Sequence, residues 1–582
     1  MLNGFLNRDK PTDLVTFELL VNGDSLPQTV EVFSIDIWKE LNRLPRAKIV
    51  ILDGDPAEEN FKVSEGQWFI PGNEIEILVG YHSDNQSVFS GMVTKQSIKS
   101  RQNGGHQLIV ECCDKAVKLT TVPKSRYFYD MKESDMFREI IQSYSGLGAD
   151  IDDTDFTHKE LLQFQCTDWD FILNRADVNG LFCTVSGGNI SVKKPDFSGK
   201  PIHRAVFGRN LYEIDAEIDA SSQLAGVKGT SWDYSKTEPS GIDASSQSPV
   251  SPGNLSSTDL SEIFQNHEWN LRSGGKVPVE LIQSWVNAKQ MKHELAKVRG
   301  RVRIEGAPLL PGNIITLEGL GDRFNGNAFV SGVKHSIGRG EWQTDIQYGL
   351  SPEWFSEQFK ISAPPSAGLH ASINGLHAGL VTQIQDDPEG DERILVRLPM
   401  VDTEEQGIWA RLATTGAGDG RGLVFRPEIG DEVIVGFIDD DPNQPVILGS
   451  VHSANNPAPI EAEDENHKKG WTSRSGIEWK IDEDKPSLEV KMPSGRMIRL
   501  DDDNGEMQFE DGDGNKITLN ANGITIETNG DLKLKAEGDI NIDAGINLSA
   551  EANAAFTAKA SSTAELSSSG QTVVKGSLVQ IN

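Results

Sequence analysis

Four cysteines in 582 residues, adjacent at Cys112 and Cys113 and solitary at Cys166 and Cys183, exclude a disulfide-stapled chain and leave no CxxC pair for a metal or redox centre. Buried, reduced thiols are expected. Positive charge is short too: 55 basic against 87 acidic residues give a formal charge of −32, which repels nucleic acid and anionic lipid. No stretch approaches the run of about 18 apolar residues that spans a bilayer. The opening MLNGFLNRDKPTD lacks the basic and apolar segments of a secretory leader, so the chain is expected to be made as a soluble protein. Hydrophobic residues make up only 37%, while 56 glycines and 26 prolines favour short strands and turns over long helices.

Signatures of catalysis are missing as well. His293-Glu294 has Lys297 where the second histidine of HExxH would stand, and the Gly-rich run Gly416 to Gly420 has no following helix to hold phosphate. The acidic clusters Asp439 to Asp441, Asp501 to Asp503 and Glu510 to Asp513 fit no EF-hand spacing and read as turns between strands. The expectation is no catalytic residue, no cofactor-binding residue and no metal site.

At roughly 150 residues per domain the length accommodates about four domains. Two linker-like stretches, Ser362 to Gly375 and Ser453 to Gly470, divide the chain, and a Ser/Pro/Gly-rich segment at about 235–258 reads as an exposed loop inserted in the first region. The expected domains are therefore 1–361, 376–452 and 471–582. In the first, alternation over residues 75–79, 88–93 and 107–113 predicts antiparallel strands. A helix is expected from Ser134 to Tyr144, capped by Ser134, with Met136, Phe137, Ile140 and Ile141 on one face. Another is expected from Pro278 to Arg299 with Gly300 just past its end, Lys289, Lys292, Lys297 and Arg299 forming a solvated face. In the second domain about five short strands and no helix of any length suit a small closed barrel of the OB type, without the basic and aromatic stripe of a nucleic-acid reader.

The third domain is repetitive. Gly476, Gly495 and Gly514 lie 19 apart and are followed at fixed offsets by Trp479, Ile498 and Ile517, then by Ile481, Leu500 and Leu519, which gives hairpin repeats over 475–523. Leu488, Met507 and Ile526 fall in one return register, Val490 and Phe509 in another. From 524 to 582 the step is eight: Ile524, Leu532, Ile540, Leu548 and Phe556 in one register, Ile526, Leu534, Ile542, Leu566 and Val574 in the next. A strand of eight residues with two or three inward apolar side chains encloses no core, whereas a single-chain β-helix needs a coil of about 18. Burial must come from other copies. Three chains wound together would form a triangular prism whose seven octads, stacked at about 4.8 Å, span about 35 Å.

Along its whole length the chain resembles the hub and spike proteins of contractile injection machines: the VgrG family of type VI secretion and its counterparts in extracellular contractile systems and phage baseplates. Phe69 to Gly72, Phe89 to Gly91, Trp169 to Ile172 with Arg175-Ala176 and Asn179-Gly180, Pro311-Gly312, Arg323 to Gly326 and Val330 to Gly332 resemble the hub part. Asp387 to Gly390, Val396 to Pro399, Trp409 to Arg411, Pro427 to Val433 and Asp441 to Pro445 with Gly449 are similar in order and spacing to the family's OB module. The resemblance implies a mainly β protein: hub domains of β-barrel type with a few helices, an OB-fold barrel, and an intertwined triple-stranded β-helix formed in a homotrimer. It further implies a non-enzymatic spike that caps an inner tube, touches baseplate proteins, contacts the target membrane mechanically and delivers effector cargo. A PAAR-repeat tip protein would dock at Val579, Gln580, Ile581 and Asn582. Such a protein would assemble in the bacterial cytoplasm and act in an injection particle, membrane-anchored or released. Only about 20 residues separate Val451 from Trp471, too few for an inserted enzyme, so effectors are expected on separate chains. The competing reading is a trimeric β-solenoid adhesin or tail-fibre component, which accounts for the octads but not for the hub or barrel.

Overall fold

The computed structural model describes residues 14–102, 105–245 and 249–581. With 41% strand and 11% helix the protein is mainly β. It divides into two compact units, Met1–Ser372 and Ile373–Asn582.

In the first unit the alternating segments form strands at Glu74–Tyr81, Asp84–Arg101 and Gly105–Cys113. They belong to a thirteen-stranded sheet. Val32–Glu40 pairs with Arg46–Leu52 on one side and with Gly326–Gly338 on the other, Ile37 opposite His335, so the two halves of the hub region share one continuous sheet. Each half keeps its own core: one around Ile37, Ile49, Ile77 and Val110, the other around Val302, Ile315, Val330 and Ile346.

Among the described residues five α-helices accompany this sheet: α1 (Glu133–Gln142), α2 (Asp168–Val178), α3 (Ser257–Ile263), α4 (Val279–Ala296) and the short α5 (Phe355–Gln358). The apolar face of α1 is buried as expected, but Ser134 does not cap it. The helix begins one residue earlier, Ser134 is buried in its first turn, and its N–H donates to Thr154 Oγ1, so the cap comes from another part of the chain. α4 stops at Ala296, and Gly300 lies inside the strand Val298–Glu305. A Cβ there would stand 2.4 Å from the Tyr348 hydroxyl and 2.5 Å from the Asp215 carbonyl, so close strand approach, rather than helix capping, requires this glycine. The segment at 235–258 is only partly a loop: Glu238–Asp243 forms an edge strand against Gly226–Asp233, and Ser257 opens α3.

The polar face of α4 is the largest departure from expectation. Lys289 and Lys292 are buried, not solvated. Lys289 Nζ donates to the Pro352 carbonyl at 2.9 Å and lies 4.7 and 4.9 Å from the rings of Trp269 and Trp354. Lys292 Nζ pairs with Asp177 at 2.6 Å and donates to the Glu353 carbonyl at 2.6 Å, while the Phe355 N–H donates to the same aspartate at 2.8 Å. Burial pushes both ammonium groups below the ordinary lysine value. Two further buried carboxylates open α1 and α2. Glu133 accepts from Arg175 and Asn179, which accounts for two residues of the hub-like motif. Asp168 accepts from Lys124 at 2.8 Å, Tyr144 at 2.6 Å and Gln163 at 2.9 Å, and from Arg126. Burial works to raise the Asp168 carboxyl, but Lys124, Tyr144 and Gln163 together hold it below the usual range. The thiols of Cys112, Cys113 and Cys183 are buried and free, and burial pushes Cys112 up to about 12.

In the second unit, Asp387 accepts from the backbone N–H groups of Asp391 and Arg393 and from the Arg393 guanidinium, so the Asp387 to Gly390 motif is a self-closed turn. The strands His377–Gln383, Ile394–Arg397, Ile408–Leu412, Glu432–Phe437 and Pro445–Ser450 close into a barrel. Its core is Val381, Ile394, Val396, Ala410, Val433, Val435 and Ile447. The repetitive region starts at Lys468, three residues before Trp471, and runs as a seven-stranded antiparallel sheet to Glu527. The hairpin part thus extends past 523.

Replacing Lys292 by Met strands the Asp177 carboxylate in an apolar site and is expected to cost about 3–5 kcal/mol, read from the urea midpoint of the first unit, with most of it recovered by adding Asp177→Leu. Asp168→Asn is expected to be less stable than the native chain at neutral pH. Because the folded-state carboxyl lies below its ordinary value of 3.8, its contribution is present above that value and lost as pH falls through the lower folded one. The gap between the two proteins, followed by circular dichroism, should therefore close on acidification.

Candidate functional site

The seven strands Lys468–Thr472, Glu478–Asp482, Ser487–Lys491, Met497–Asp501, Glu506–Glu510, Lys516–Asn520 and Gly523–Glu527 form a simple meander. Gly476, Gly495 and Gly514 sit at its tight turns with φ of 83°, 87° and 94°, a conformation that glycine alone adopts without strain. Side chains alternate between faces, so a 19-residue repeat returns equivalent residues to the same face.

Cross-strand register then builds two apolar rows. Trp471, Trp479, Val490, Ile498, Phe509, Ile517 and Ile526 stand opposite one another in turn, one from each strand. Ile481, Leu488, Leu500, Met507, Leu519 and Ile524 form the second row. This places Ile526 beside Ile517, and so with Val490 and Phe509 rather than with Leu488 and Met507. The last turn, Asn520 to Gly523, is two residues shorter than the turns at 501–506 and 482–487, and a two-residue step moves a side chain to the neighbouring row on the same face.

Nothing in the chain covers these rows among the described residues. The last fully buried apolar residue is Ile447, and Ile498, Phe509 and Ile517 remain 40–47% exposed. The opposite face carries Lys480 against Glu489 and Glu489 against Arg499. Its Asp501 is only 6% exposed and accepts from the Asn504 amide group and backbone N–H, with Arg499 beside it. Burial is thus inverted: the polar face is the more enclosed one. The acidic turns are accounted for in the same way. Asn504 holds the Asp501 carboxyl below its usual range, and Asn515 does so for Asp511. Among the described residues no group of three His, Cys, Asp or Glu side chains is placed to hold a metal ion.

Among the described residues beyond Glu527 the chain makes no ladder with itself, and it bends at 529–530, 537–538, 545–546, 553–554, 561–562, 569–570 and 577, a step of eight. The proposed inward residues Leu532, Leu534, Ile540, Ile542, Leu548, Phe556, Leu566 and Val574 are all exposed, as are Ile524 and Ile526. A depression of about 840 Å³ lined by Ile498, Phe509, Ile517, Ile526 and Leu532 runs from the meander into the first octad. At the far end Val579, Gln580 and Ile581 are exposed, and Asn582 lies outside the described residues. Periodicity did not reveal a third apolar group, on the barrel: Leu423, Val424, Phe425 and Ile429 are exposed, and the Phe425 ring meets Trp471 edge-on at 5.5 Å. Its only sequence signal is the run Leu423-Val-Phe425 directly after a Gly-rich turn.

Residues 377–452 match the model of the type VI secretion system/phage-baseplate injector OB domain, and residues 11–339 match that of the Alg8 N-terminal domain. Among curated proteins the chain is similar to the type VI secretion system spike protein VgrG1a of Pseudomonas aeruginosa, 29% identical over 203 residues, which are 33% of this chain and 31% of that protein. It is also similar to the spike protein VgrG3 of Vibrio cholerae, 35% identical over 92 residues, 14% of this chain and 9% of that one. The chain therefore spans about a third or less of the length of these relatives. Among solved structures, the tail protein from Neisseria meningitidis aligns over 59% of this chain and 98% of its own, at 14% identity and a TM-score of 0.43. The E. coli c3393 protein, described as a component of the type VI secretion system, aligns over 74% and 99%, at 12% identity and a TM-score of 0.37. With more than half of its length matched by one family model, the chain belongs to the Alg8 N-terminal domain family; its barrel matches the injector OB domain, and the chain is similar in sequence to VgrG spike proteins.

Proposed function

We propose that the protein works as a non-enzymatic homotrimer at the tip of the inner tube of a contractile injection system, where a contracting sheath drives it through a target envelope. The observation that carries this reading is the pair of apolar rows leading into bends every eight residues, with no cover from their own chain among the described residues. Burying one Ile, Leu or Phe side chain contributes about 1.5–3 kcal/mol, so two further copies offer the burial that the chain lacks. Wound together, three octad strands pair laterally and leave only the prism ends unpaired, which gives a stiff wedge.

The first unit would be the hub that caps the tube and meets the baseplate. Val579, Gln580, Ile581 and Asn582 would receive a small tip protein of the PAAR-repeat kind, and effectors would travel on separate chains. Assembly would take place in the bacterial cytoplasm, within a particle that is membrane-anchored or released. A fibre or adhesin would use the same octads but leaves the barrel and the thirteen-stranded sheet without a role. Imaging of assembled particles separates the two, since a spike occupies one central position in the baseplate and fibres attach around it in several copies.

Light scattering of the purified chain at micromolar concentration is expected to give three times the chain mass; a stable monomer would sink the proposal. Leu534→Asp combined with Ile542→Asp places three unpaired charges in each of two layers and is expected to abolish the trimer in the same measurement. Trimers that survive this change would show that the octad register is wrong.

A further inference from the structure

A prism wound from near-identical repeats has a register problem. The octads repeat every eight residues and the hairpins every 19, so three chains displaced by one repeat still meet apolar against apolar. Something outside the repeat must align them. Resting on the trimer reading above, we propose that the exposed apolar segment of the OB barrel, Leu423, Val424, Phe425 and Ile429, is a collar that packs against its equivalents in two other copies and fixes the register of the spike.

Three observations place it there. The collar is continuous with the uncovered row of the meander, because Phe425 touches Trp471 and Trp471 is the first member of that row. It does not repeat: no equivalent of Leu423-Val-Phe425 recurs at steps of eight or 19, so it has one way to meet its copies. And it is held firmly. The Leu423 N–H donates to the Gly416 carbonyl at 3.0 Å, the Thr414 hydroxyl donates to the Leu423 carbonyl at 2.9 Å, Arg426 pairs with Glu392, and the Glu428 N–H donates to Asp431 at 2.9 Å. Glu428 in turn pairs with Arg474 at 2.8 Å, a second tie between the barrel and the start of the meander. Four side chains that leave an anchored loop for solvent, in line with a row that needs other chains, fit a second copy as their occupant. Charge agrees with this. Arg426 and Arg474 beside the collar are each paired to a carboxylate of their own chain, so copies meet there without bringing free like charges together.

The test reads register directly. Ile542→Cys is placed in one chain and Ala558→Cys in a second chain of different size, and the two are co-expressed. The sites are two octads apart, so in an aligned prism they lie about 10 Å apart along the axis, beyond the roughly 7 Å reach of a disulfide between Cα atoms. With the native collar the mixed 542–558 disulfide is expected to stay at background, set by chains with the native cysteines only. Val424→Ser with Phe425→Ser is expected to raise it about ten-fold among purified trimers, because displaced registers then compete. Should that variant fail to form trimers, Ile429→Ser with Arg474→Ala, both outside the barrel core, decides instead by the same readout. Trimers of the deciding variant that keep the disulfide at background overturn the collar and leave the trimer standing. A monomeric unsubstituted chain fails the trimer reading itself.

Discussion

The rest of the spike depends on one constraint: a strand of eight residues with two inward side chains has nothing of its own to bury them against. Such a segment pays the conformational cost of being extended and recovers it only when neighbouring chains complete the layer. The C-terminal region agrees with this constraint in three ways. Apolar residues stand on the exposed face, polar ones on the enclosed face, and bends recur at the repeat length without any ladder between them. The formal charge of −32 sits partly at the hairpin turns and outward strand positions.

The barrel and the hub obey the opposite rule. Val381, Val396, Val433 and Ile447 close the barrel's core within one chain, and the thirteen-stranded sheet has its two cores likewise. One polypeptide therefore joins regions whose apolar side chains are buried within the chain to a region whose apolar rows are not, and the boundary falls just after Ile447. Apolar residues on the barrel's outside belong physically with the meander strands rather than with the domain that carries them.

What the sequence disclosed tracks how local the determining interaction is. The octads, the 19-residue glycines and the barrel strands Ile394–Arg397 and Glu432–Phe437 were legible because alternation and turn residues act over a few positions. Ile526 was misassigned by one row because register passes through turn length, and the final turn is short. The cap of α1 could not be found near Ser134, since Thr154 supplies it from across the fold. Lys289 and Lys292 looked like a solvated face because nothing within α4 announces that Trp354, Asp177 and two carbonyls close over them. Gly300 shows the same limit: its need is set by Tyr348 and Asp215, not by its neighbours in the chain.

Those buried lysines bear on how the hub's final segment is retained. Residues 352–355 precede the linker that leaves the first unit, and they are held by two ammonium-to-carbonyl bonds, one amide-to-carboxylate bond and a tryptophan ring laid over both cations. A tug on the departing chain meets these contacts together, because all of them fall on residues 352–355. Contacts so closely spaced share a load rather than meeting it one after another. If the chain works as the spike proposed above, such an anchorage would pass displacement onward instead of absorbing it.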